Sequence, residues 1–376
     1  MSRDISAFVI VGLSLLLGSS GDGALAQQAA SSDAARLRQQ IVDRGVNYLL
    51  TKGQAADGSF SNQTGAGVTA ICTTALLKSG RTPADPAVAK SLKYLEGLVK
   101  PDGGVYRDGS THKNYETCLA IVCFSEANQG GRYDKLIKSA DKFVKGQQWD
   151  EGEGHDKSSV NYGGAGYGSK SRPDLSNTSF LIEALIAAGN GPDDPAVQKA
   201  LIFVSRAQNL ESEHNTTPFA AKVNDGGFYY TPANNGESFA NQPGDPPQAL
   251  RSYGSMTYAG LKSMIYAGLK KDDPRVKAAT TWLRKHYTLN ANPGMGDMGL
   301  YYYFHTMAKT LAALGDEERI FVDDQGNKHD WRAEMVGALA ERQNEDGSWV
   351  NKNNRWLEAD ANLVTGYALL VLSYCK

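Results

Sequence analysis

Gln343-Asn344-Glu345-Asp346-Gly347-Ser348-Trp349 decides how the chain is read. Its Asp-Gly-x-aromatic core recurs upstream as Asp57-Gly58-Ser59-Phe60, Asp102-Gly103-Gly104-Val105-Tyr106 and Asp225-Gly226-Gly227-Phe228-Tyr229. Two divergent versions are Tyr162-Gly163-Gly164-Ala165-Gly166-Tyr167 and Gly294-Met295-Gly296-Asp297-Met298-Gly299-Leu300-Tyr301. A loop recurring along a chain is the signature of a repeat architecture. Its chemistry is readable: the glycines allow a tight backbone, the carboxylate caps local N–H groups, and the aromatic packs beneath the next helix. Asp57, Asp102, Asp225 and Asp346 are therefore read as structural, because one cavity rarely needs four identical acids.

Each loop leads into a segment of helical character: Thr69–Ser79, Asn114–Ala127, Asn177–Ala188, Ser255–Ala267, Tyr303–Leu314 and Asp360–Cys375. Four of these end on Gly80, Gly189, Gly268 or Gly315, the residue suited to a left-handed helix stop. Asp85-Pro86, Asp194-Pro195 and Asp273-Pro274 then read as an N-cap followed by proline in the first turn. The post-loop helices are apolar on nearly all faces and are predicted to form an inner layer. Val88–Val99 and Ala196–Ala207 carry Lys and Arg on one side and are predicted to lie outside. An open stack needs polar end caps, yet Leu363–Tyr374 is among the most apolar segments. Closure of repeat six on repeat one supplies its missing neighbour. The predicted fold is all-α, an α/α toroid (α6/α6 barrel) of six helix-hairpin repeats, with the loops gathered at one end over a central cavity. A two-domain helical chain is the alternative. Two long connections, Trp149–Asp174 and Asn209–Arg251, read as lids or binding loops over that end.

Of the 376 residues, 40 are glycine, and 39 Lys plus Arg nearly balance 41 Asp plus Glu. That balance provides no broad basic field, so nucleic-acid binding is not expected. Arg3, the apolar run Ile5–Leu17 and Ala24-Leu25-Ala26 read as a cleavable signal peptide over residues 1–26, followed by a single domain over 27–376. Secretion or periplasmic export is expected, with no membrane span in the mature chain. An uncleaved N-terminal anchor is the alternative. Cys72, Cys118, Cys123 and Cys375 sit in apolar helical patterns and read as buried thiols, with a Cys72–Cys118 bridge as the alternative. No metal and no cofactor is expected.

The Gln-x-x-Asp-Gly-Ser-Trp form at Gln343–Trp349 resembles the QW-type repeat of squalene and oxidosqualene cyclases, and also resembles the β subunits of protein prenyltransferases. The resemblance covers nearly all of the chain after residue 26, at the length of one toroid where triterpene cyclases carry two. It implies either of two chemistries. The cyclases use a D-x-D-D run whose middle acid is the proton donor. The matching segment is Pro173-Asp174-Leu175-Ser176-Asn177-Thr178, where Asp174 takes the first acid's position, Ser176 the donor's and Asn177 the last. A serine hydroxyl is too weak an acid to protonate an alkene. The prenyltransferases hold zinc by an Asp, a Cys and a later His. His305 falls on the last of these, but the region resembling the earlier ligands, Arg251–Leu261, contains neither Asp nor Cys. One ligand of three is not a zinc site.

Candidate site residues are those expected near the inner-helix N-termini. His305, Asp360, Tyr258 and Glu116 are the candidates for acid–base chemistry. Asn177, Tyr301, Tyr302, Tyr303, Trp356 and Glu358 are candidates for ligand contact. Converging helix N-termini also favour a bound anion. Three functions remain open. The first is an exported cyclase- or prenyltransferase-like protein holding an isoprenoid or other apolar ligand, with or without catalysis. The second is a carbohydrate-active enzyme, a polysaccharide lyase or glycosidase, with a glycan in the cavity. The third is a protein-binding scaffold; the C-G-E-Q motif of thioester domains with this architecture is absent.

Overall fold

The computed structural model describes residues 20–168 and 171–376, with side chains from Asp33 onward. The apolar run Ile5–Leu17 lies outside the described residues, and the Ala24-Leu25-Ala26 backbone falls within the first described helix. Among the described residues no helix is long and apolar enough to cross a membrane.

Among the described residues the fold is all-α apart from one short ribbon. In chain order the helices are α1 (Ser20–Tyr48), α2 (Ala66–Lys78), α3 (Pro86–Glu96), α4 (Lys113–Glu126), α5 (Asp134–Lys145), α6 (Leu175–Ala187) and α7 (Pro195–Arg206). There follow α8 (Ala220–Val223), α9 (Gly254–Tyr266), α10 (Pro274–Lys285), α11 (Leu300–Leu314), α12 (Trp331–Ala340) and α13 (Ala361–Tyr374). The ribbon pairs β1 (Ile320–Val322) antiparallel with β2 (Lys328–Asp330), a feature the helical reading did not anticipate.

Helices α2, α4, α6, α9, α11 and α13 are the six apolar ones, and each is buried along most of its length. Each packs on the next in that order, and α13 packs on α2. The remaining long helices lie against this set: α3 on α2, α5 on α4, α7 on α6, α10 on α9, and α1 and α12 on α13. In α5 the split is plain, with Ile137, Ala140, Phe143 and Val144 buried while Lys135 and Lys142 stay outside the core.

The recurring loops explain the repeat in atomic terms. Backbone N–H groups two residues on donate to Asp57, Asp102, Asp225 and Asp346, each at 3.0 Å. The residue in the packed position then donates its N–H to a threonine Oγ1 in the following inner helix. The pairs are Phe60 to Thr69, Val105 to Thr117, Ala165 to Thr178, Phe228 to Thr257 and Trp349 to Thr365, all at 3.0–3.1 Å. The first glycine of the loop faces backbone directly: a Cβ on Gly163 would sit 1.8 Å from the Lys199 carbonyl oxygen, and its φ is +82°. Much of the glycine surplus is thus spent where loops press on the next outer helix.

Two local expectations change. Helices α2 and α11 begin three residues earlier than read, at Ala66 and Leu300. Asp194 and Asp273 cap α7 and α10, but the Asp85 carboxylate accepts from Thr82 N–H at 2.6 Å and leaves α3 without a side-chain cap. The tight preceding turn competes for that carboxylate. All four cysteines are buried free thiols, so there is no Cys72–Cys118 bridge.

Candidate functional site

A cavity of about 320 Å³ lies among the N-terminal halves of the six apolar helices. All six contribute: Gly67 and Val68 from α2, Tyr115 and Glu116 from α4, Ser176 and Phe180 from α6, Ser255 and Met256 from α9, Tyr302 from α11, and Leu363 and Tyr367 from α13. Both long connections reach it, the first through Tyr167 and the second through Tyr230 and Phe239, and Tyr253 joins them from just before α9. Trp356 and Glu358 complete it from the loop before α13. The volume is at the small end of ligand pockets, roughly 300–1,000 Å³.

The wall is chiefly aromatic, and the rings brace one another. Tyr115 meets Phe180 edge-on at 5.2 Å, Tyr230 lies 4.5 Å from Phe239, and Trp356 stands edge-on to Phe239 at 5.5 Å. Arg355 lies over both Phe239 and Trp356 and keeps its guanidinium outside the cavity lining. Trp356 is 37% exposed with φ +55°, so it sits at the mouth on a strained backbone.

Three of the six helix N-termini around the cavity, those of α6, α11 and α13, are met by carboxylates from within the chain. Glu358 is fully buried and accepts from Tyr302 N–H at 2.8 Å, Tyr301 N–H at 3.3 Å and Asn351 Nδ2 at 2.7 Å. Burial raises its carboxyl pKa, and those donors oppose the shift. Asp360 caps α13 through Asn362 and Leu363 N–H. Asp174 caps α6 through Asn177 N–H at 2.8 Å and takes a second bond from Asn177 Nδ2 at 2.8 Å. Burial pushes the Asp174 carboxyl up to about 6. The expected anion preference of these termini is therefore consumed by the protein's own carboxylates.

Of the residues singled out in the sequence, Glu116, Tyr302, Trp356 and Glu358 line the cavity. Glu116 accepts from Arg107 N–H at 3.1 Å and Ser110 Oγ at 2.8 Å. The Tyr302 hydroxyl shares a hydrogen bond with Ser176 Oγ at 2.9 Å. Ser176, which the resemblance sets against the cyclase donor, thus faces the cavity, while Asp174 does not line it. Tyr301 and Tyr303 turn away, Tyr301 edge-on to Phe304 and Tyr303 donating to Thr288 O at 2.8 Å. Neighbours on a helix are separated by about 100°, so three consecutive tyrosines cannot share one wall. Tyr258 is buried against Tyr303 with its hydroxyl unpartnered, and Asn177 is held by Asp174. His305 lies deeper, beside the Tyr367 ring, and has no hydrogen bond to Asp360. Burial, then the Lys309 ammonium, lower its pKa to about 3. Among the described residues no group of three His, Cys, Asp or Glu side chains could hold a metal.

The sequence reading missed Tyr115, Tyr167, Phe180, Tyr230, Phe239, Tyr253, Met256 and Tyr367. One signal was available for two of them. Tyr167 and Tyr230 stand two residues beyond the packed loop positions Ala165 and Phe228, and an extended backbone returns to the same side after two residues.

Comparison with known proteins shows what this all-α scaffold with an aromatic-walled cavity is similar to. Residues 61–240 match the family model "Squalene-hopene cyclase C-terminal domain". Over 165 residues the chain is 27% identical to "Probable squalene--hopene cyclase" of Sinorhizobium fredii (strain NBRC 101917 / NGR234), covering 43% of this chain and 25% of that protein. The chain therefore spans about a quarter of that curated relative's length. Among solved structures, the type II terpene cyclase MstE from Scytonema in its apo form is 13% identical with a TM-score of 0.52, covering 90% of this chain and 98% of that one. A single-residue variant of MstE in complex with geranylgeranyl dihydroxybenzoate, its substrate, is 12% identical with a TM-score of 0.53, covering 92% and 98%. These findings support a terpene cyclase-like superfamily for the chain.

Proposed function

We propose that the protein is an exported, single-domain α/α toroid that binds an isoprenoid or isoprenoid-tailed aromatic molecule in its aromatic cavity. The succession of α2, α4, α6, α9, α11 and α13, with α13 back on α2, supports the closed six-repeat reading. The observation that carries the ligand assignment is the wall itself: tyrosine, phenylalanine and tryptophan rings from all around the cavity, with its two carboxylates engaged in internal hydrogen bonds. Such a lining favours an unsaturated hydrocarbon chain over a hydroxylated sugar, whose polar groups need unengaged partners. The substrate complex of MstE supports the same ligand class. Binding is proposed without the usual cyclase protonation step, because Ser176 faces the cavity at the donor's position.

The test is a titration of Trp356-dependent fluorescence in the full chain with farnesol, geranylgeraniol, geranylgeranyl dihydroxybenzoate and oligosaccharides. Saturable binding of the isoprenoids, weakened about tenfold (about 1.4 kcal/mol) by Phe239→Ala, is expected. Binding of saccharides but of no isoprenoid would establish the glycan reading instead.

A further inference from the structure

The aromatic wall keeps unspent hydrogen-bonding capacity at one place. Ser176 of α6 and Tyr302 of α11 join their hydroxyls at 2.9 Å, and both residues line the cavity. Each is half-buried, whereas the chain neighbours Leu175, Asn177, Tyr301 and Tyr303 are buried. The surface that the pair retains therefore belongs to the cavity. Two hydroxyls sharing one bond spend one hydrogen, so a second O–H and free lone pairs remain for a further oxygen. Other polar groups of the lining are engaged. Glu116 and Glu358 accept from backbone N–H groups, Thr64 Oγ1 donates to Ser61 O at 2.7 Å, and Ser255 Oγ accepts from Asn292 Nδ2 at 3.3 Å. Tyr167 and Tyr230 set their hydroxyls against Asn177 and Asp174 behind the wall.

The two sides of the cavity differ in character. In the cyclic succession of helix contacts, α13 stands opposite α6 and α2 opposite α9. Val68 and Leu363, from that far side, offer hydrocarbon alone. Phe180, one turn further along α6 than Ser176, continues the apolar surface and meets the Tyr302 ring at 6.1 Å. Charge then narrows the kind of oxygen that fits. Among the described residues no Lys or Arg side chain lines the cavity, while the carboxylates of Glu116 and Glu358 do. A diphosphate would enter beside two carboxylates with no lining cation to balance it, which is costly away from water. A chain without any oxygen would cover the spare O–H of the pair and leave it unpartnered, which also costs affinity.

We propose that the Ser176–Tyr302 pair is the recognition subsite for one neutral oxygen, a hydroxyl or carbonyl, at the end of the bound chain. The cavity accordingly selects neutral oxygenated isoprenoids over isoprenyl diphosphates and over pure hydrocarbons. This rests on the isoprenoid reading above and adds an orientation to it: the oxygenated end meets α6 and α11, and the hydrocarbon lies against Phe180, Val68 and Leu363.

The test is a fluorescence titration of the full chain with geranylgeraniol, geranylgeranyl diphosphate and the deoxy hydrocarbon in which hydrogen replaces the hydroxyl. Geranylgeraniol should bind about tenfold more tightly than either of the others. Ser176→Ala and Tyr302→Phe, the second of which keeps the ring and so the wall, should each weaken the alcohol about threefold to tenfold. Binding of the hydrocarbon should stay unchanged in both variants. Equal affinity for alcohol and hydrocarbon, or an equal loss of both in the variants, overturns the subsite and leaves the isoprenoid reading standing. Tightest binding of the diphosphate overturns it as well. If none of the three binds the unmodified chain, the isoprenoid reading itself fails and the subsite falls with it.

Discussion

Gln343 Nε2 donates to the Ile41 carbonyl oxygen at 2.9 Å, joining positions 302 residues apart. The same amide donates to Gly347 O at 2.9 Å, so one side chain ties the last loop to itself and to α1. Gln54, Gln148 and Gln208 do the corresponding work in their repeats, reaching Ala87, Ala196 and Arg275 carbonyls at 2.8–2.9 Å. Of these four glutamines, only Gln343 joins the two ends of the chain. Gln343→Ala leaves two carbonyls to find other partners and should destabilise the fold by about 1–3 kcal/mol. A lowered urea midpoint with an unchanged slope is the expected readout.

Gly347 and Gly80 have nearly the same backbone, φ +91° and +93°. A Cβ on Gly347 would fall 2.4 Å from the Arg44 carbonyl oxygen, whereas nothing lies within 4 Å of one on Gly80. Gly80→Ala should therefore cost about 1–2 kcal/mol, the left-handed penalty alone. Gly347→Ala should cost clearly more, because the loop must also move away from α1. Equal melting temperatures for the two variants would contradict this.

Asp174 carries a pH signature. Its folded pKa, about 6, lies above the ordinary aspartate value because the carboxyl is buried. The folded state therefore holds the proton more tightly than the unfolded state. The associated stability is present below the ordinary value near 4 and is lost as pH rises through 6, a difference of about 3 kcal/mol at most. Asp174→Asn should flatten the stability profile between pH 4 and 7 relative to the unmodified chain, measured by denaturant unfolding. An Asp174 carboxyl titrating near 4 by NMR would remove the basis for this.

The four cysteines should be silent in the folded protein. Burial raises the pKa of each thiol, Cys123 and Cys375 to about 12, so little thiolate forms at neutral pH and reagent access is closed. A thiol-reactive chromophore should report almost no fast-reacting groups before denaturation and four afterwards. Two titratable thiols after denaturation would reveal a disulfide.

What could be read from the chain directly was whatever is encoded locally. Helix type follows from apolar periodicity, helix ends from glycines with φ near +90°, and loop closure from an aspartate two residues before the N–H it accepts. These signals span fewer than about ten residues and need no partner elsewhere, so the all-α character, the repeated loops and the capping aspartates were accessible. Glu116, Tyr302, Trp356 and Glu358 were found on the same ground, as residues close to an inner-helix start.

The tertiary structure alone decided which side chains face one another. Tyr302 rather than Tyr301 or Tyr303 enters the cavity because packing fixes the rotation of α11, and its N-terminus is held by Glu358 from 56 residues further on. Phe180, Tyr230 and Tyr367 meet around one space although no local pattern relates them. The Glu183, Lys262 and Lys309 group was equally invisible, since each charge looks like a lone polar residue on an apolar helix until three helices bring them together. Short-range stereochemistry acts within a few bonds and leaves its mark in the sequence; the facing of distant surfaces is set by collective packing, which no single segment carries.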